Sequence, residues 1–222
     1  MPDPDLILIT KLAETHRRLG ELYGLPVWQP HGDPTAQLVA TILSQNTSDV
    51  NTARSFRALV DVYPDWQAVV DAPEQELIEV IRSGGLANQK APRIQSALRH
   101  IYEERGDFDL HWLADLPVAE ARVWLTQMPG VGNKTASIVL LFALGRPAFP
   151  VDTHVGRVCR RLGLAPTKAS ADKVMAIIET FAPDDWFYPL HKNFIQHGRT
   201  TCKARKPRCQ GCVLRNICDS FR

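Results

Sequence analysis

A lysine behind a glycine-rich turn, an aspartate eighteen positions later and four cysteines crowded into the last part of the chain are the residues here best suited to do chemistry. The turn reads Met128-Pro129-Gly130-Val131-Gly132-Asn133-Lys134 and lies between two apolar helical patterns. Gly130 and Gly132 let the backbone turn through φ > 0 and approach another molecule closely. The amides at the start of the following helix form a natural phosphate site. An amine placed beside that site is a nucleophile only when unprotonated, so catalytic use of Lys134 requires desolvation or nearby positive potential. The start of a buried helix is expected to supply both. The plainer reading of the same residues is an αα-hairpin with a solvated lysine.

Asp152, in Val151-Asp152-Thr153-His154, is placed to cap the next helix. The same carboxylate can accept a proton or stabilise a developing cation, and the two roles are compatible.

Cys202, Cys209, Cys212 and Cys218 do not read as a disulfide framework for a chain of 222 residues. They read as a metal or cluster site. Structural zinc usually takes two short Cys pairs, whereas only Cys209 and Cys212 form one here. Four thiolates in one compact loop suit a cubane iron-sulfur cluster, although the spacing differs from the ferredoxin runs, and spacing alone leaves zinc open. Cys159 lies outside the set and reads as a small buried hydrophobe. Between Cys202 and Cys209 stand Lys203, Arg205, Lys206 and Arg208, a solvated loop or a set of phosphate contacts.

The elements that must position these residues are helical. Leu6 to Leu22, Leu38 to Leu43 after the Asp33-Pro34 start, Val50 to Val60 and Ile94 to Ile101 carry the 3.6-residue apolar period. Leu113 to Leu125 and Asn133 to Leu144 read as the two hairpin helices, the second apolar on every side from Ile138 onward and therefore central. Val155 to Leu162 and Ala171 to Phe181 follow, and His191 to Cys202 leads into the cysteines. Two polar or glycine-rich breaks interrupt the pattern: Ser44-Gln45-Asn46-Thr47-Ser48-Asp49, and Gly84-Gly85 followed by the apolar Leu86. No period-two strands, internal repeat, Rossmann or Walker motif is present, so the fold class expected is all-α.

A hydrophobic content of 45% suffices for one large or two small domains. No stretch approaches the roughly 18 to 20 apolar residues of a membrane span, and the N-terminus lacks a basic region followed by an apolar core. The chain is expected to be cytoplasmic. The net charge of +2 is small but unevenly spread: from Asp61 to Leu125 twelve acids face six bases, and from Gln196 to Arg222 seven Lys or Arg face one Asp.

Together the glycine hairpin, the Val-Asp-Thr-His and the Cys-x6-Cys-x2-Cys-x5-Cys set resemble the endonuclease III family of helix-hairpin-helix DNA glycosylases, over nearly the whole chain. The family's Leu-Pro-Gly-Val-Gly-x-Lys-Thr-Ala reads as Met128 to Ala136, with Met128 in place of Leu. The resemblance implies a six-helix barrel lobe over residues 26–146, a discontinuous iron-sulfur lobe from 1–25 and 147–222, and a DNA groove between them. It implies a bifunctional glycosylase and AP lyase of base excision repair, acting as a monomer on damaged double-stranded DNA. Lys134 would form a Schiff base, Asp152 would assist, and Cys202, Cys209, Cys212 and Cys218 would hold a 4Fe-4S cluster. Monofunctional relatives lack the lysine and use water, so Lys134 points to oxidised pyrimidines and β-elimination on the 3′ side. Leu86 matches the residue that inserts into the DNA stack. Gln45 and Asn46 fall in the segment that approaches the space of the flipped nucleotide, where members often read Ser-Ala-Gln-Ala-Thr-Asp; here Asn46 takes the glutamine slot and Gln45 precedes it. Gly130, Gly132 and the four cations of the cysteine loop would contact the backbone. Rival readings are a same-fold glycosylase with another base preference and a non-catalytic damage-binding protein.

Overall fold

The computed structural model describes residues 3–30 and 32–221, and among these every regular element is helical. In chain order the α-helices are α1 (Pro4–Tyr23), α2 (Pro34–Leu43), α3 (Asp49–Val62), α4 (Trp66–Asp71), α5 (Glu74–Ile81), α6 (Ala87–Arg105), α7 (Val118–Thr126), α8 (Asn133–Ile138), α9 (Thr153–Leu162), α10 (Ala171–Phe181) and α11 (Phe187–Thr200). No described helix is long and apolar enough to cross a membrane. The chain divides into two compact units, Pro30–Arg146 and the pair Met1–Gln29 with Pro147–Arg222.

In the Pro30–Arg146 unit the starts are set by side-chain caps. Asp33 accepts from the Ala36 amide at 2.7 Å with Pro34 just inside, and Ser48 accepts from the Asn51 amide at 3.2 Å. The polar break between α2 and α3 is therefore a stop followed by a new cap. Leu38, Val39, Ile42 and Leu43 of α2 are fully buried, with Ile94, Leu98 and Ile101 of α6 and Val139 and Leu140 behind α8. Burial of such side chains, each worth about 1.5–3 kcal/mol, holds the helices together.

Two helix boundaries differ from the sequence expectation. The first hairpin helix does not begin at Leu113: His111–Asp115 form a separate 3-10 turn, and α7 starts only after Pro117. Proline has no amide to donate and keeps the preceding Leu116 extended at ψ 156°, which ends the turn and resets the axis. The second does not continue as α-helix to Leu144 but loosens after Ile138 into a π turn over Val139–Ala143, with the Leu144 amide donating to the Val139 carbonyl at 3.3 Å. The Arg146 amide then reaches the Leu140 carbonyl at 2.8 Å, and the Arg146 side chain donates to the Leu116 carbonyl at 3.0 Å.

The other unit is built on α1, α9, α10 and α11. Leu12 and Leu19 of α1, Val155, Val158 and Leu162 of α9, Ile178 of α10, and Phe187 and Phe194 of α11 form its core with Phe149. Helix α11 begins at Phe187 and runs to Thr200, just before Cys202. A Cβ at Gly198 would stand 2.9 Å from His154 Cβ, so glycine there sets the approach of α9 and α11.

Candidate active site

The hairpin turn is built by two glycines with different tasks. Gly130 has φ +82°, and a Cβ on it would lie 2.6 Å from Arg93 Cδ, so this position requires glycine for both conformation and space. Gly132 sits at φ −98° as the residue before α8, and a Cβ there would meet nothing within 4 Å. Met128 and Val131 are buried and anchor the turn, while Gly130 and Gly132 are exposed.

Lys134 lies in the first turn of α8 and is exposed. This corrects the expectation that a buried helix desolvates the amine. The inward face of α8 consists of Thr135, Ala136 and Ser137, and Lys134 falls on the outer side. Among the described residues no hydrogen bond or ion pair engages its ammonium.

The turn is held from beneath. The Gln45 Nε2 donates to the Gly130 carbonyl at 3.0 Å, and Arg93 Nη1 donates to Gln45 Oε1 at 3.3 Å. Asn46, next in the chain, is exposed with φ +55°, a left-handed conformation that asparagine tolerates. Leu86 also has φ +53°, at the residue before α6, and is 46% exposed, so it does not close the core beneath its turn. A β-carbon residue held in this region costs free energy, and an exposed leucine there gains little burial in return.

Lys90 was not singled out in the sequence and is among the largest fully buried side chains of the described residues. Its Nζ donates to the Leu43 carbonyl at 2.6 Å and the Gly84 carbonyl at 2.9 Å. Burial holds its ammonium below the ordinary lysine value. Nothing local in the sequence marks it, because a lysine in an amphipathic helix ordinarily reads as solvated.

In the other unit, Asp152 caps α9: its Oδ1 accepts from the Val155 amide at 2.7 Å, and the residue is half-buried. The last turns of α9 carry the arginines that hold the cysteine segment. Arg157 donates to the carbonyls of Cys202 at 3.0 Å and Gly198 at 2.9 Å. One turn later Arg161 donates to the carbonyls of Lys203 at 2.7 Å and Ala204 at 3.0 Å. Lys203, Arg205, Lys206 and Arg208 are exposed on this segment. Lys11 closes the far end, donating to the Leu162 carbonyl and to Asp219, each at 2.9 Å.

Cys202, Cys209, Cys212 and Cys218 line one cavity of about 260 Å³, with Val158, Leu162 and Leu214 as its apolar wall. All four are free thiols in this structure. Burial pushes the Cys212 and Cys218 thiols up, so a strong cationic centre is needed to take them as thiolates. Four cysteines and an apolar wall on one cavity are the donor set that an iron-sulfur cluster takes. Cys159 is fully buried with its thiol pushed up to about 12, and it packs as a small hydrophobe.

Comparison with known proteins matches both halves of this description. Residues 39–184 match the HhH-GPD superfamily of base excision DNA repair proteins, and residues 202–218 match the iron-sulfur binding domain of endonuclease III. Endonuclease III of Thermotoga maritima is 35% identical over 190 residues, spanning 86% of this chain and 84% of that protein. The structure of a trapped endonuclease III–DNA covalent intermediate, an estranged-adenine complex, matches with a TM-score of 0.83 at 29% identity over 96% of both chains. A thermostable thymine-DNA glycosylase has the same fold, with a TM-score of 0.78 at 20% identity over 99% of both chains.

Proposed function

We infer the activity from membership: the chain belongs to the endonuclease III family, within the HhH-GPD superfamily of base excision DNA repair proteins, and carries that family's 4Fe-4S domain. It is a DNA glycosylase and abasic-site lyase whose partner is DNA. The finer reading is removal of oxidised pyrimidines from duplex DNA through an amine intermediate on Lys134. The observation that carries it is the exposed Lys134 in the first turn of α8, directly behind the Pro129–Gly132 turn.

In this reading the turn and the start of α8 take a phosphate. A bound duplex covers Lys134 and excludes water, which supplies the desolvation that the free fold does not. The neutral amine attacks C1′ of the flipped nucleoside, and the C1′–N bond breaks with its electron pair leaving on the base. Opening of the sugar gives the protonated Schiff base. Loss of a C2′ proton then drives β-elimination, breaking the C3′–O bond, and water releases the lysine from the opened sugar. Asp152 stabilises the cationic sugar or accepts the proton of the attacking amine.

Leu86 enters the stack as an apolar wedge, and Gln45 and Asn46 belong to the segment facing the vacated space. Lys203, Arg205, Lys206 and Arg208 contact phosphates, adding affinity and salt dependence without sequence preference. Cys202, Cys209, Cys212 and Cys218 hold the cluster. When bound, the cluster cross-links the short irregular tail and is assigned no step. A second reading, another damaged base, is favoured by the segment at Asn46: its side chain is shorter than the family's glutamine, and Gln45 is turned toward Gly130.

The test is borohydride trapping on duplexes bearing an abasic site or thymine glycol, beside Lys134→Ala. An adduct on both that vanishes in the variant is the expected result. Trapping on the abasic site alone would select the second reading, and tight binding with no adduct would leave a damage-binding protein.

A further inference from the structure

Two of the turns assigned to DNA, at Leu86 and at Gly130, are fastened to the same helix. Lys90 and Arg93 stand three residues apart in the first two turns of α6, on one side of it. Lys90 binds the Gly84 carbonyl, two residues before Leu86, and the Leu43 carbonyl, two residues before Gln45. Arg93 packs against Gly130 and binds Gln45, which itself binds the Gly130 carbonyl.

The Gln45 amide has one orientation that satisfies both contacts. Its N–H must face the carbonyl and its oxygen the guanidinium, because the flipped form would set oxygen against oxygen. The peptide between Gly130 and Val131 is thereby held at both ends, the oxygen by Gln45 and the Val131 amide by the Met128 carbonyl at 3.1 Å. Leu86 precedes α6 directly, in a left-handed conformation that leaves it little freedom to move independently of the helix. From Leu86 to Arg93 the helix spans about 10 Å at 1.5 Å per residue, and Pro92 inside that span fixes its own φ while leaving one helical hydrogen bond unmade.

We propose that Gln45 and Arg93 are positioning residues that couple the Leu86 turn to the hairpin turn through α6, so that wedge insertion and phosphate grip form one event. This rests on the DNA roles given above to Leu86 and Gly130. It changes the part played by Gln45 from a reader of the vacated space to a strut beneath the hairpin.

The experiment is a double-mutant cycle on a duplex with a tetrahydrofuran abasic analogue, read by anisotropy, with Gln45→Leu, Leu86→Ala and both. Melting curves first establish that each variant is folded. Gln45→Leu is expected to weaken binding up to about tenfold, the scale of one or two lost hydrogen bonds. The double variant should bind no worse than the weaker single one. A 2-aminopurine opposite the analogue should also unstack less with Gln45→Leu, although Leu86 is intact, and a merely local defect at the hairpin would leave that signal unchanged. Gln45→Glu keeps the bond to Arg93 but faces the Gly130 carbonyl with oxygen, so it should follow Gln45→Leu. Multiplicative losses, or an unchanged 2-aminopurine signal, overturn the coupling while the family activity stands. A wild-type protein with no preference for the abasic duplex over an intact one would overturn both.

Discussion

The Arg161 guanidinium lies 3.5 Å from the Cys202 sulfur while the same nitrogen donates to the Lys203 carbonyl at 2.7 Å. A cation so placed orders the loop backbone and would face the Cys202 sulfur as a ligand, and partners of this kind tune ligand basicity and metal retention. Arg161→Ala should therefore leave the helices intact and lose the cluster faster, by about tenfold or more on the scale of such outer contacts. The decay of the visible iron-sulfur absorption in air or chelator reads this directly. An unchanged decay would remove Arg161 from any part in holding the centre.

Asp152 has two roles that a pair of substitutions separates. Asparagine can still accept from the Val155 amide, whereas alanine cannot. Asp152→Ala should lose about 1 kcal/mol of stability, the usual worth of a cap, and Asp152→Asn a few tenths at most. Both should lose base-release activity in single-turnover assays, because neither side chain carries the charge. If Asp152→Asn kept full activity, the carboxylate would be a cap alone.

The hairpin glycines should part in the opposite way. Gly130→Ala forces φ +82° on an L-residue and presses into the Arg93 stem, so it should cost roughly 1–3 kcal/mol in melting experiments. Gly132→Ala has open space and an ordinary φ, so it should melt with the wild type. Its methyl would stand where the reading puts a phosphate, and affinity for duplex DNA should fall about tenfold, as for one lost charge-assisted contact. Unchanged binding by Gly132→Ala would move the DNA backbone away from this turn.

Much of this was legible in the residues, and the omissions have physical reasons. Asp33, Ser48 and Asp152 are short polar side chains ahead of apolar periods, and caps are local features that sequence shows directly. Cysteine spacing likewise announced a shared site. The helix boundary at Pro117 was equally local, and the apolar run from Leu113 to Leu125 masked it. The apolar run from Ile138 predicts a buried second hairpin helix, yet the first turn leaves Lys134 exposed, because the inward residues there are Thr135, Ala136 and Ser137. Contacts across long sequence separations left no trace at all. Gln45 meets Gly130 85 residues away, and Arg161 meets the Lys203 carbonyl 42 residues on. Each joins a flexible polar side chain to a backbone carbonyl, a partner whose identity no residue type encodes.

His16 ties the stability of its unit to acid. Its ring stacks on Trp186 at 4.3 Å between centroids and 3° between planes, with Nε2 buried and without a hydrogen-bond partner among the described residues. Burial holds its folded-state proton affinity below the ordinary 6.5, and the nearby Asp185 carboxylate offsets only part of that. The sign follows from proton counts. Above 6.5 both folded and unfolded chains leave this ring neutral, and it contributes nothing to the pH dependence. As pH falls through 6.5 the unfolded chain takes up the proton first, so stability is lost until the folded ring is protonated as well. His16→Phe keeps a flat ring against Trp186 and removes the titration. Denaturant unfolding at about pH 5 and about pH 8 should show a smaller acid-induced loss in the variant than in the wild type, with similar behaviour at the higher pH. An equal loss in both would place the acid sensitivity of this unit in other groups.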